Sequence, residues 1–276
     1  MTINFTKMHG LGNDFVVIDG VKQSIELTAQ QICFLADRHF GVGCDQLLLV
    51  ENPVSSNADF KYRIFNADGS EVAQCGNGAR CFARFVREKG LSTKDQIVVD
   101  TDAGQLVLNF DAEGLITVNM GIPRHEPSQI PIAVTAYASR YSVKLAETDV
   151  EFAAVSMGNP HAVINVSDVV TAPVAVIGAR LESHEMFPER ANIGFMQVVS
   201  RQKIKLRVYE RGAAETMACG SGACAAVVAG VELGLLDSDV QVSLPGGELK
   251  INWLGRGYPV MMTGPATTVF EGQIEL

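Results

Sequence analysis

The chain resembles itself. Residues 63–79, RIFNADGSEVAQCGNGA, align without a gap on residues 207–223, RVYERGAAETMACGSGA, with Arg, Glu, Cys, Gly, Gly and Ala identical and Ile/Val and Phe/Tyr exchanged conservatively. A second pair, Gly12-Asn13 in HGLGNDFVVID and Gly158-Asn159 in SMGNPHAVIN, recurs at nearly the same separation. A repeat of about 145 residues is far too long for a solenoid or a propeller blade, so the duplication predicts two pseudo-equivalent domains facing one another.

A chain of 276 residues can bury two cores of ordinary size. Hydrophobic residues make up 47% and charged residues 19%, the balance of a globular protein. The net charge of -9 and the absence of any basic run exclude a protein that binds a phosphate backbone, because such binding needs clustered Lys and Arg. The longest apolar stretch, from Ala223 to Val231, is too short to span a bilayer, and MTINFTKMHG lacks the layout of a signal peptide. A cytoplasmic address with reduced thiols is therefore expected for the six cysteines.

The fold class expected is α+β: two pseudo-symmetric domains, each a mixed or antiparallel β-sheet or barrel wrapped around a central apolar helix. Alternating and β-branched patterns predict strands at 14–19, 46–51, 60–66, 96–101, 104–110, 115–120, 152–156, 161–166, 195–200, 203–210, 240–244, 247–254 and 259–263. Thr28 and Gln31 have capping-box spacing and open a helix to about His39. Two further helices, from about Asn77 to Lys89 and from about Ser221 to Leu233, stop at Gly90 and Gly234. The second is apolar nearly all round, which marks a helix buried on every side. The Pro-rich segment 120–132 reads as the linker, giving domains 1–119 and 120–264, with a terminal strand over 265–276 returning to the first.

In both copies a Cys-Gly-x-Gly-Ala turn opens the central helix, so Cys75 and Cys219 fall at helix N-termini. Unpaired backbone N–H groups and the positive end of the helix dipole favour an anion there, which predicts a lowered thiol pKa. If a pseudo-twofold brings the two helix starts together, two thiols flank one substrate atom. A stereocentre between two proton-exchanging groups loses its proton on one face and gains it on the other. One thiolate disfavours a second, so a thiolate/thiol pair supplies one base and one acid. Cys33, Cys44, Cys81 and Cys224 lack the paired Gly-rich context and read as packing residues.

NADGSEVAQCGNGARC at 66–81, ERGAAETMACGSGAC at 210–224, MHGLGNDFV at 8–16, SMGNPHAV at 156–163 and RANIGF at 190–195 resemble, in order and spacing, the signatures of the diaminopimelate epimerase family. The resemblance implies interconversion of LL- and meso-2,6-diaminopimelate, on the way to lysine and peptidoglycan, by a homodimer that uses neither pyridoxal phosphate nor metal. It implies Cys75 and Cys219 as base and acid, with His161 and Glu210 tuning the thiols. It makes Asn13, Gln46, Asn66, Asn159, Asn192, Glu210 and Arg211 substrate contacts, and the amides around Gly76, Asn77, Gly220 and Ser221 the cradle of the reacting carboxylate. Neutral amides that donate and accept, with one Arg to fork a carboxylate, suit a substrate with two amino and two carboxylate groups. Two departures stand out: Ala214 replaces a Gly found in many members, and Phe270 stands where some carry a Tyr linked to the dimer contact.

Rival readings are a proline or hydroxyproline racemase, or a structural zinc protein using Cys75, Cys81, Cys219 and Cys224. The cysteine spacings are poor for tetrahedral ligation, and no Cys-x-x-Cys is present for a thiol-disulfide oxidoreductase.

Overall fold

The computed structural model describes residues 1–72, 75–145 and 148–276. The chain divides into two compact units, Met1–Asn119 with Thr263–Leu276, and Met120–Met262. In the first unit the elements are β1 (Thr2–Gly10), β2 (Asn13–Asp19), α1 (Ala29–Ala36), β3 (Gln46–Glu51), β4 (Phe60–Asn66), β5 (Glu71–Val72), α2 (Gly76–Glu88), β6 (Gln96–Thr101), β7 (Gly104–Phe110) and β8 (Ile116–Asn119). In the second they are β9 (Tyr141–Leu145), β10 (Thr148–Ser156), β11 (Pro160–Asn165), α3 (Val174–Glu182), β12 (Asn192–Ser200), β13 (Lys203–Glu210), β14 (Ala214–Thr216), α4 (Gly220–Glu232), β15 (Asp239–Leu244) and β16 (Gly247–Asn252). Strand β17 (Met261–Gly264) follows, and β18 (Thr267–Glu275) belongs to the first unit.

The pairings repeat. Antiparallel β1–β2, parallel β2–β3, antiparallel β3–β4 and β4–β5, parallel β4–β6 and antiparallel β6–β7 form the first series. The second runs β10–β11, β11–β12, β12–β13, β13–β14, β13–β15 and β15–β16 in the same orientations. Even the register carries over: Phe15 faces Gln46 across β2–β3, and His161 faces Asn192 across β11–β12. The units differ in the strand that flanks the first hairpin. Strand β1 pairs with β18, from the far end of the chain, whereas β10 pairs with β9, its immediate predecessor.

Each unit packs around a helix of the same length. In α2 the buried positions include Ala79, Cys81, Phe82, Phe85 and Val86, and the helix rests on β1, β2, β3, β7, β8 and β18. In α4 every residue from Gly222 to Gly230 is buried, against β10, β11, β12, β13 and β16. An apolar run of small residues is what such enclosure requires, since strands approach the helix from every side. Helix α1 carries the capping box, with Thr28 Oγ1 accepting from the Gln31 N–H at 3.3 Å and Gln31 Oε1 accepting from the Thr28 N–H at 3.0 Å. It ends at Ala36 rather than near His39, because the Asp37 carboxylate takes the N–H groups of His39 and Phe40 at 2.7 Å and turns the chain.

The segment 120–132 is not a free linker. Arg124 bridges to Ser156, and Ile130 and Ile132 are buried in the second unit's core beside Tyr141, Phe152 and Phe187. Its prolines stiffen a segment that the core holds down. Among the described residues, no helix is long and apolar enough to cross a membrane.

Candidate active site

In the first unit, Cys75 is the N-cap of α2: its extended backbone (φ -144, ψ 122) precedes the helix, and its carbonyl accepts the Ala79 N–H at 2.8 Å. The Cys75 thiol meets Oδ1 of Asn13, the first residue of β2, at 3.9 Å. Asn77 Nδ2 donates to the same oxygen at 3.2 Å. Two charged residues fix which way these amides point. Arg80, wholly buried within α2, can only donate, and its Nη2 meets Asn77 Oδ1 at 2.9 Å. At the other end, Asn13 Nδ2 donates to Asp45 Oδ2 at 2.8 Å, and Arg38 holds the second Asp45 oxygen at 2.8 Å. The polarity of the chain is therefore set from both ends, and Asn13 presents an oxygen to the sulfur.

Behind this row lies Asp14. Burial opposes its charge, but Arg38 in a bidentate grip and Lys7 outweigh that cost and hold its carboxyl well below the usual range. Lys7 also donates to the Gly43 carbonyl, so two acceptors hold its buried ammonium. Gln46 and Asn66 face each other across β3–β4, with Gln46 Nε2 donating to Asn66 Oδ1 at 2.9 Å.

In the second unit, Cys219 is the N-cap of α4 and is 4% exposed, with its carbonyl accepting the Ala223 N–H at 2.9 Å. Ser221 Oγ lies 3.7 Å from its sulfur. Asn159 Nδ2 donates to Ser221 Oγ at 3.4 Å, and Asn159 Oδ1 meets His161 Nε2 at 3.0 Å. His161 is buried, and burial, with the Arg211 charge adding to it, lowers its pKa to about 3. The ring is therefore neutral near pH 7, and the Asn159 oxygen assigns its proton to Nε2. Glu210 accepts from Thr216 Oγ1 at 2.5 Å and from the Cys219 thiol.

The lowered pKa expected of a thiol at a helix start is overturned at Cys219. Burial raises it first, and the Glu210 charge and hydrogen bond raise it further, while the Ser221 hydroxyl and the Gly222 N–H pull weakly the other way. Desolvation beside a carboxylate outweighs the helix dipole, so Cys219 rests as a thiol.

The remaining positions are distributed around these two helix starts. Gly76 and Gly220 are the first residues of α2 and α4, and Asn77 and Ser221 the second. Asn192, buried, has both ends of its amide engaged by protein: Nδ2 donates to the Pro160 carbonyl at 3.1 Å and Oδ1 accepts the Arg211 N–H at 3.0 Å. The guanidinium of Arg211 reaches the Glu189 carbonyl at 3.0 Å. Ala214 adopts φ +60, the left-handed region that favours glycine, so this departure carries backbone strain. Phe270 stacks edge-on against Phe5 at 6.0 Å between centroids. Sequence reasoning missed Asp45, Arg80 and Thr216. An arginine on the apolar face of α2, three residues after Asn77, was the available signal for Arg80. Among the described residues, no group of three His, Cys, Asp or Glu side chains is placed to hold a metal ion.

The chain matches the diaminopimelate epimerase family over residues 5–126 and 153–269. It belongs to that family. It is 60% identical, over the full length of both chains, to the diaminopimelate epimerase of Azoarcus sp. (strain BH72). Among solved structures, it superposes with TM-score 0.70 on a hydroxyproline epimerase from Agrobacterium vitis, at 15% identity over 99% of this chain and 92% of that one. It superposes equally well, TM-score 0.70, on a phenazine biosynthesis protein of the PhzF family from Bacillus anthracis, at 17% identity over all of both chains. At such identities the likeness is one of fold. Diaminopimelate epimerases thus share this doubled α+β scaffold with other proteins.

Proposed function

We propose that the protein interconverts LL- and meso-2,6-diaminopimelate by a two-base mechanism, without pyridoxal phosphate, as a cytoplasmic homodimer in lysine and peptidoglycan precursor synthesis. The observation that carries this reading is full-length 60% identity to a curated diaminopimelate epimerase, joined to a thiol at the cap of each repeated helix.

In this mechanism Cys75 and Cys219 approach opposite faces of one α-carbon. One sulfur, as thiolate, removes the proton, and the other, as thiol, returns one to the opposite face. Glu210 beside Cys219 favours its protonated form at rest, which suits it to the acid role until the substrate's ammonium enters. A developing carbanion conjugated with the carboxylate is stabilised by the N–H groups that open α2 and α4, around Gly76, Asn77, Gly220 and Ser221. Asn13, Gln46, Asn66, Asn159, Asn192, Glu210 and Arg211 supply the polar lining that selects a second amino-acid head on the same molecule.

Incubation of the pure enzyme with LL-diaminopimelate in heavy water is expected to give meso product deuterated at one α-carbon with no added cofactor. Cys75→Ala and Cys219→Ala are each expected to lower kcat by at least about a hundredfold. Full activity in either variant, or turnover of proline or hydroxyproline in place of diaminopimelate, overturns the reading.

A further inference from the structure

Glu182 is the last residue of α3 and is 3% exposed. Two physical costs attend that placement. A carboxylate faces the negative end of the helix dipole, and it has been taken out of water. What it holds in return is specific. Its Oε1 accepts the Gly212 N–H at 3.1 Å, and its Oε2 pairs with Arg190 Nη2 at 2.9 Å. Its backbone carbonyl accepts the Ala191 N–H at 3.0 Å.

These contacts close a ring around Arg211. The Arg211 N–H is held by Asn192, the next N–H by Glu182, and the guanidinium by the carbonyl of Glu189. Glu189 precedes Arg190, whose backbone sits at φ +60, a conformation a non-glycine residue keeps only when its surroundings hold it. The Arg190 N–H donates to the Phe187 carbonyl at 2.8 Å, and the pair with Glu182 adds a side-chain hold on the same turn. One buried carboxylate thus fixes both the 189–191 turn and the 211–212 turn.

We propose that Glu182 is a positioning residue, acting through Arg211, that sets recognition of the substrate's non-reacting carboxylate. The proposal rests on the diaminopimelate reading, in which Arg211 forks a carboxylate. Because the bond to that distal group is made equally in ground and transition states, its loss raises KM and spares kcat.

The test is steady-state kinetics of the full-length enzyme with LL-diaminopimelate for Glu182→Gln and Glu182→Ala, alone and with Arg211→Lys. Glu182→Gln keeps an acceptor for Gly212 and loses the charge that holds Arg190. A KM rise of about threefold is expected for Glu182→Gln and about tenfold for Glu182→Ala, with kcat within about twofold of wild type. In the Arg211→Lys background, where no guanidinium fork remains to be aimed, the KM effect of Glu182→Gln is expected to vanish. A loss confined to kcat in Glu182→Gln, or a KM ratio unchanged by Arg211→Lys, overturns the proposal. Thermal unfolding of Glu182→Gln separates positioning from folding, and wild-type turnover tests the functional reading independently of Glu182.

Discussion

Outside the two thiols, His161 is a histidine whose burial has an acid-base consequence near neutral pH. Its pKa falls from the ordinary value of about 6.5 to about 3 in the folded protein. Below pH 6.5 the unfolded chain takes up a proton that the folded chain refuses, so stability declines as pH drops through that window. Between pH 6.5 and pH 5, before most carboxylates titrate, the loss attributable to this ring is about 2 kcal/mol. His161→Gln, which still offers an N–H to Asn159, is expected to flatten that slope in urea unfolding measured across the range. An unchanged slope in the variant contradicts the buried neutral ring. The same environment explains why the chemistry here was only half legible. The Cys-Gly-x-Gly-Ala turns located both sulfurs and the family resemblance named Glu210 beside them, but the upward direction of the Cys219 shift depends first on burial, which no local pattern encodes.

Among the elements, the two central helices repay comparison because their third residues, Gly78 and Gly222, occupy the same place. A methyl group at Gly78 would lie 2.5 Å from Tyr62 Oη, and one at Gly222 would lie 3.2 Å from the Cys219 sulfur. Tyr62 is buried, donates to the Cys75 carbonyl at 3.4 Å, and has nowhere to retreat. Gly78→Ala is therefore expected to cost about 1–3 kcal/mol of stability, read from the denaturant midpoint; a neutral result would mean that α2 shifts freely. Both helices were readable from their Gly stops and apolar faces. Strand β1 was not: Lys7 and His9 interrupt its alternation, and Lys7 is buried because Asp14 neutralises it, a partnership across the β1–β2 turn. Helix α3 was also missed. Its Val and Ile content suits a strand, its N-cap is Pro173 without a side-chain cap, and it forms because Gly178 lets it lie on the ring of Tyr209, where a methyl would stand 2.6 Å away. Strand β9 is five residues long, and its partner β10 began earlier than its β-branched run suggested.

For the whole molecule, the terminal strand is the element whose removal should be felt furthest away. Strand β18 covers one edge of β1 along nearly its full length, Phe270 lies against Phe5, and the Pro265 carbonyl accepts from the buried Arg80 at 3.1 Å. Deleting residues 265–276 bares the edge of β1 and takes a partner from a buried guanidinium. Limited proteolysis of the shortened chain is expected to cut first within residues 1–119 while 120–262 persists; protection equal to that of the intact chain would contradict this. The duplication made the larger plan visible, since two recurrent motifs implied two like units. The terminal strand expected over 265–276 was read from its own β pattern, and what the duplication did not show is its partner: β18 runs antiparallel along β1. The β1–β18 ladder is closed at its outer end, where the Met1 ammonium donates to the Leu276 carbonyl at 2.7 Å and the Leu276 N–H to the Met1 carbonyl at 2.9 Å. Strand β18 thus stands to β1 as β9 stands to β10, the outer neighbour of each unit's first hairpin, one supplied from far along the chain and the other from next door.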